Sequence, residues 1–546
     1  MSIPALLQMP LRRRIALLGA LPPDVRAAFA ARGYECYSWS GRGPNAISAL
    51  ATTDSIFMVQ AVQDSMLGAL KACIEALDYD CRVYVRREPD PASQTLLLRT
   101  IEKLKLPVAG LAAEETKHFS KKWFWFDGPQ SLPHAPFVYM FTGESWSAIT
   151  NLVALNPAGP APVDSLRIEP PEIAAKMTKG QCLLLRRAFH DCRQVRLIPK
   201  GNGFSGVDTY EAHTLLRDGE VGGDWPFRFF VKMGDRVKIL REYTGYQTKS
   251  MDNVPFHLGP RVRLDKCCLG ASEGILVSDY VSGAETLRDC AREGRGTTAI
   301  GNVFNQTILA WRRAAKAEPR PLGPTLVERM DRQMPNHRQP ICERLGLTAS
   351  VEQMKQAIAR CQSSPVLTGF VHGDLHATNV LVRQGDAVII DLEKVEHARP
   401  VLFDAASLEG GLLIDGFIKD DARPVGVILD SIARLYEIDA FRGDDHFCEP
   451  HSDSAWFFDS IRQIRMQARQ LERDETGACQ YPWVLASVLL QKACNDLDFT
   501  APDRFKNVDP HGNRREEFRA MAAVVAERIL RDLHALGDTW DRSFSS

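Results

Sequence analysis

The chain has 546 residues, 45% apolar and 25% charged, with a formal net charge of −1. One hydrophobic core does not usually extend over such a length, so two or three domains are expected. The near-neutral charge gives no whole-molecule attraction to nucleic acid or to a membrane surface. The 13 cysteines, odd in number and without framework spacing, fit reduced thiols in a cytoplasmic protein, and no stretch approaches the roughly 18 apolar residues of a membrane span.

In chain order, the opening LRRRIALLGALPP reads as a first buried strand rather than a signal peptide, because its apolar run is short and ends in Pro22-Pro23. Strands are expected at 15–18, 35–38, 55–59, 82–85 and 107–109, with helices between them such as 24–32 and 66–76. Five βα units of this length imply a small doubly wound sheet over 1–115, similar to flavodoxin-like or receiver-like domains. Its strand ends, Leu18-Gly19-Ala20 and Val59-Gln60-Ala61, carry neither receiver acids nor a dinucleotide-binding GxGxxG. What remains is an interaction or sensing module. Residues 116–165 read as connector and linker. Within them, KHFSKKWFWFDG places aromatics beside Lys121 and Lys122, a pattern for base stacking or for packing between domains, and the neutral charge favours packing. LNPAGPAPVDS, rich in Pro and Gly and without periodicity, reads as the linker proper.

After the linker, Gly201-Asn202-Gly203-Phe204-Ser205-Gly206 follows an apolar run at 195–198. A lone GxGxxG is a weak signal, because purely structural Gly-rich hairpins outnumber phosphate cradles. The strand FRFFVKMG then presents Lys232, costly at a strand centre unless paired, and Glu242 in the helical DRVKILREYTGYQ is a candidate partner. The apolar strand of GILVSDYVSG leads to Asp279, Tyr280 and Val281. FVHGDLHATNVLVRQGDAVIIDLEKV follows, with two apolar runs parted by Arg383-Gln384-Gly385-Asp386. These read as a hairpin that sets Asn379 beside Asp391, two oxygen ligands suited to Mg²⁺. His372 and His376 could be taken for a metal pair, but zinc explains Asp374 and Asn379 poorly, and HFCEPH with His446, Cys448 and His451 is equally a solvated loop.

The order of Gly-rich hairpin, strand Lys, helix Glu, hinge strand, catalytic loop and metal Asp resembles the protein-kinase-like superfamily. HGDLHATN followed by IDLE resembles its aminoglycoside phosphotransferase and choline kinase branch, and NGFSG, VKM and REYTGYQ resemble the bacterial ternary complex associated domains. The resemblance implies an α+β bilobal kinase-like domain, with its N-lobe at 166–285 and its helical C-lobe at 286–546, behind the α/β domain. It also implies an ATP- and Mg²⁺-dependent phosphotransferase. Gly201, Gly203 and Gly206 would cover the phosphates, Lys232 oriented by Glu242 would contact them, and Asp279, Tyr280 and Val281 would read the base. Asp374 would accept or align the acceptor hydroxyl, Asn379 and Asp391 would hold the metal, and Asp404 would brace the catalytic loop.

The acceptor is less legible. Glu393, Glu396, Asp404 and Glu409 offer acid for a cationic substrate, but Lys394, His397 and Arg399 intervene. The N-terminal domain suggests instead an acceptor on, or presented by, a protein partner. A nucleotide-binding pseudokinase scaffold and a small-molecule kinase are the alternatives. The C-terminal DSIRQIRMQARQLE and PWVLASVLLQKAC read as helices, the second apolar almost all round and hence buried.

Overall fold

In the computed structural model, the described residues are 12–40, 49–50, 52–59, 68–69, 71–72, 82–86, 108–109, 137–141, 146–155, 158–200, 207–217, 227–247, 253–270, 272–418, 421–443, 454–475, 479–495 and 512–536. The chain forms two compact units, one of residues 1–241 and 262–280, the other of 242–261 and 281–546.

The first unit opens with β1 (Arg14–Leu18), α1 (Pro23–Ala31), β2 (Glu35–Ser38), β3 (Ser55–Met58), β4 (Arg82–Arg86), β5 (Val108–Ala109), β6 (Phe137–Phe141) and α2 (Trp146–Leu155). Every strand pairing is parallel, in the order β2-β1-β3-β4-β6-β5. The doubly wound sheet is therefore present, with one correction: a sixth strand lies between β4 and β5. It comes from the stretch 116–165 expected as connector. FVYMF is strongly strand-forming, and Val138, Met140 and Phe141 are buried in the sheet. Ile149 and Val153 of α2 share a core with Val25 and Phe29 of α1. The expected helix at 66–76 and the aromatic KHFSKKWFWFDG lie largely or wholly outside the described residues.

The linker reading is also corrected. Ala158, Gly159 and Pro160 are buried, because long-range donors reach their backbone. Arg12 Nη2 donates to the Ala158 carbonyl at 2.8 Å. Arg187, itself fully buried, donates from Nη2 to the same carbonyl at 2.5 Å and from Nε to that of Pro160 at 3.1 Å. The Ala158 amide donates to the buried Asp54 carboxylate at 2.8 Å. Pro- and Gly-rich composition left these backbone groups without a ladder, and arginines satisfy them instead.

The same unit continues with β7 (Arg167–Glu169), α3 (Lys179–Ala188), β8 (Cys192–Pro199), β9 (Asp208–Leu216) and β10 (Phe227–Asp235), then α4 (Arg236–Gly245), inside which the unit boundary falls, and returns for β11 (Cys268–Leu269) and β12 (Glu273–Asp279). Their sheet, ordered β11-β12-β10-β9-β8-β7, is antiparallel apart from the parallel β7–β8 pair. Thr178 and Gln181 form a capping box that starts α3. Leu184 and Leu185 of that helix pack with Val195, Leu197, Val231, Met233, Ile275 and Val277. Strand alternation therefore sends Lys232 and its neighbour in register, Leu276, to the other face.

In the second unit, β13 (Glu285–Thr286), β16 (Val380–Arg383) and β17 (Asp386–Ile389) form one small sheet. A second contains β14 (Lys316–Glu318), β15 (Val366–Val371) and β18 (Glu396–Pro400). Around them lie α5 (Leu322–Val327), α6 (Leu402–Asp415), α7 (Ala455–Glu475), α8 (Tyr481–Ala493) and α9 (Gly512–Leu536). As its composition predicts, α8 is buried on nearly all sides. Its first amides, from Gln480 and Tyr481, donate to Glu472 of α7 at 2.6 Å each. A fully buried pair ties α6 to α7: Glu409 accepts from Arg465 at 2.7 and 3.2 Å and from the Tyr481 hydroxyl at 2.7 Å. No helix among the described residues is long and apolar enough to cross a membrane. In chain order the described elements are a parallel sheet with its helices, an antiparallel sheet and a mostly helical unit with two small sheets, the order that the sequence resemblance leads one to expect.

Candidate active site

The hairpin read from the sequence forms as expected. Val380 stands opposite Ile389 and Arg383 opposite Asp386, with Gln384 and Gly385 between them at φ values of 53° and 92°. Two positive φ angles define the primed turn that suits a tight hairpin. Beyond the last strand pair, the Ile390 amide donates to the Asn379 carbonyl at 2.9 Å. That bond brings the backbone of Asn379 next to the residue before Asp391. Asp391 then turns left-handed, φ 64° and ψ 69°, into a short 3₁₀ turn over Leu392–Lys394. Aspartate tolerates that region better than most residues with a Cβ.

Strand β15 delivers the loop of His372 to Asn379, the one the resemblance assigns to catalysis, and Asp404 fixes it. The buried Asp404 carboxylate accepts from the amides of His372 at 2.8 Å and Gly373 at 3.2 Å, which is the bracing role expected of it. Burial pushes this carboxyl up against the opposing effect of the two amides. His372, fully buried, contacts the Ile390 carbonyl through Nε2 at 2.9 Å and so ties the loop to the hairpin. Gly373 has φ 77°, and a Cβ there would strike the Lys394 carbonyl. Only glycine combines that angle with that approach.

Asp374 projects from this loop with 30% of its side chain exposed and pairs with Lys394 Nζ at 2.6 Å. Burial alone would raise its carboxyl, but Lys492, His376 and Lys394 together hold it well below the usual carboxylate range. Burial lowers His376 and so disfavours its charged form. Burial lowers Lys492 as well, and Lys394 is the cation in contact with Asp374. The sequence shows Lys394 only as one basic residue in a mixed stretch. Lys492, far along the chain on α8, gives no local signal at all.

Asn379 is buried, and its Nδ2 donates to the Asp374 carbonyl at 3.1 Å. The amide oxygen is thereby left as the atom available to a cation. Two oxygen donors, Asn379 Oδ1 and the Asp391 carboxylate, fit a hard cation that takes its other ligands from water or phosphate. They do not make a closed protein cage, and among the described residues no group of three or more His, Cys, Asp or Glu could hold a metal ion.

In the first unit, Lys232 lies mid-strand on β10, half-buried, on the sheet face away from the core. On the same face Glu211 bonds Lys200 Nζ at 2.6 Å and His213 Nε2 at 2.7 Å, and these partners outweigh desolvation to hold it at about 2. Asp279 ends β12, and the Tyr280 amide donates to the Arg228 carbonyl at 3.3 Å while its ring lies under Lys200 Nζ at 5.1 Å. Glu242 and Val281 belong to the second unit, Glu242 on α4. Gly201, Gly203 and Gly206 lie outside the described residues, as do His446, Cys448 and His451.

The acidic stretch after Asp391 resolves into separate tasks. Glu409 is consumed by Arg465, Asp404 by the catalytic loop, and Glu396 by Arg329 and by Arg399 at 2.8 Å. His397 stacks edge-on to Phe370, ring centroids 4.7 Å apart.

The fold sets the HGDLHATN loop beside the hairpin that leads to IDLE, the two motifs on which the sequence resembles the aminoglycoside phosphotransferase and choline kinase branch. More particularly, residues 343–494, which include the catalytic loop and hairpin, match the family model described as ternary complex associated domain 9. No curated protein matches the chain. Among solved structures, the chain is similar to a thermostable mutant of aminoglycoside phosphotransferase APH(4)-Ia in apo form, at 13% identity and a TM-score of 0.33, covering 61% of this chain and 94% of that one. Amicoumacin kinase hAmiN in complex with AMP-PNP, Ca²⁺ and Ami matches at 13% identity and 0.35, covering 67% and 99%. Aminoglycoside phosphotransferase APH(3'')-Id from Streptomyces rimosus matches at 18% identity and 0.26, covering 52% and 96%. What the site can do follows from its own residues.

Proposed function

We propose that the chain is an ATP- and Mg²⁺-dependent phosphotransferase that moves the γ-phosphoryl group to a hydroxyl of a protein or of an acceptor presented by a partner. The observation that carries this reading is the hairpin bond from Ile390 to Asn379, which sets two oxygen donors beside a catalytic loop braced by Asp404. Phosphoryl transfer asks the protein mainly for positioning and electrostatics. The cation, held by Asn379 and Asp391, would supply charge neutralisation of the phosphate oxygens. Asp374, ionised and held at low pKa by its cations, is a weak base. Its role is to orient the acceptor hydroxyl by accepting its hydrogen bond. Lys394 fixes that carboxylate, while Lys232, with Glu242 as its orienting partner, would contact phosphate. Asp279, Tyr280 and Val281 would read the adenine through backbone groups, and Gly201, Gly203 and Gly206 would cover the triphosphate. The domain division that goes with this reading assigns 166–285 to a nucleotide-holding lobe, 286–546 to a catalytic lobe, and the α/β domain before them to the partner.

A second reading, a nucleotide-binding scaffold without transfer, is favoured by one observation: the hydroxyl-orienting carboxylate is already occupied by Lys394. Incorporation of labelled γ-phosphate with ATP and Mg²⁺ separates the two. In the phosphotransferase reading, Asp391→Asn, which tolerates the left-handed backbone, lowers transfer by at least roughly a hundredfold, the scale of losing one well-placed electrostatic group. Unfolding midpoints should stay unchanged. Transfer by Asp391→Asn equal to that of the unaltered chain would falsify the assignment. Tight nucleotide binding with no transfer to any hydroxyl would establish the scaffold.

A further inference from the structure

A cavity of about 170 Å³ opens beside the β14-β15-β18 sheet of the second unit, with Arg320, Arg329 and Arg399 among its lining residues, Arg320 being paired through Nε with Glu318 at 3.0 Å. Glu328 is the one acidic side chain that lines it, and Thr325 and Gln491 are its uncharged polar residues. We propose that this cavity binds a phosphate-type oxyanion, either as a free phosphoester or as a phosphorylated side chain.

Three observations support the assignment. First, Arg399 is built in rather than solvated: its side chain is 14% exposed, its Nε is held by Glu396 at 2.8 Å, and its guanidinium lies over the Phe403 ring at 4.0 Å. With that Nε and one Nη of Arg329 engaged by Glu396, the other N–H donors of the two groups are uncommitted among the described residues. Guanidinium forks of this kind match the spacing of phosphate oxygens. Second, the backbone beneath is strained. Ala398 has φ 63°, and its carbonyl accepts from Arg320 Nη2 at 3.3 Å. A left-handed alanine is uncommon. Third, the size fits: a cavity of about 170 Å³ has room for a single phosphate-sized oxyanion.

The site is distinct from the catalytic loop, and the proposal does not depend on whether the chain transfers phosphate. The test is titration of the full chain with inorganic phosphate at low ionic strength, followed by calorimetry, with acetate as a carboxylate comparison. Phosphate should bind more tightly than acetate. Arg399→Met should weaken phosphate binding by roughly tenfold or more. Arg329→Gln, at a side chain 40% exposed, and Gln491→Glu, which adds a carboxylate to the wall, should do the same without any threat to folding. Phosphoserine and a phosphoserine peptide distinguish the sources: equal affinities assign a free phosphoester, and a tighter peptide assigns a protein segment. Phosphate binding that survives Arg329→Gln and Gln491→Glu but is lost in Lys232→Met belongs to the nucleotide site and overturns the proposal. So does the absence of binding.

Discussion

At Asp374 the direct contact is with Lys394. Lys394 holds the carboxylate at 2.6 Å and contributes to its low pKa, so removing that cation moves the pKa back up toward the ordinary value. Lys394→Met is therefore expected to shift the acid limb of the transfer rate to higher pH. It should lower kcat roughly tenfold, the scale of one charge-assisted hydrogen bond, and leave nucleotide affinity unchanged. A pH profile of kcat separates this positioning role from a structural one. Glu472 makes a second prediction. Burial pushes it up to about 8 from an ordinary 4.5, despite the two α8 amides it accepts. Between those values the folded chain binds a proton that the unfolded chain has released. Stability due to this group is therefore full below about 4.5 and is lost as pH rises through 8. Denaturant midpoints measured from pH 5 to 9 should fall with pH in the unaltered chain, and Glu472→Gln should flatten that slope.

Among the elements, the β16–β17 hairpin was the most legible part of the site because everything that forms it is local. Two apolar runs, a Gln-Gly turn and flanking Asn379 and Asp391 lie within one short segment. Gly385 tests its importance. Nothing lies within 4 Å of a Cβ placed there, so a substitution pays only in backbone conformation at φ 92°. Gly385→Val should cost about 1–2 kcal/mol, read as a lower thermal midpoint, and the Mg²⁺ dependence of nucleotide binding should weaken with it. The Lys394 contact was illegible for the opposite reason. It requires Gly373 to bring the catalytic loop against the Lys394 carbonyl, a closeness between loops that periodicity does not encode. Strand β6 was missed likewise: its five residues suit a strand, but their place between β4 and β5 depends on a partner far along the chain.

Across the whole molecule, the order of elements was readable and the joints were not. The first four strands of the α/β sheet, the strand that carries Lys232 and the buried α8 fall where pattern put them. The segment at 158–160, which composition marks as solvated linker, is instead held by Arg12 and Arg187 through carbonyls that any residue would have offered. Arg187→Met keeps the bulk and removes the donors, leaving buried carbonyls short of partners. It should cost about 3 kcal/mol in denaturant unfolding of the full chain. An effect under about 0.5 kcal/mol, usual for a surface site, would contradict the clasp.

The Glu409, Arg465 and Tyr481 cluster bears on how this protein could acquire heat tolerance. Each single replacement strands a charge or a hydroxyl in a dry core, on the order of 3–5 kcal/mol for the ion pair. A joint replacement by well-packed apolar residues is neutral or favourable by the same reasoning. A search that accepts one improvement at a time therefore meets a barrier at these positions, whereas a library that varies all three together does not. The more stable sequences lie on the far side of that barrier, reachable by recombination and closed to a stepwise walk.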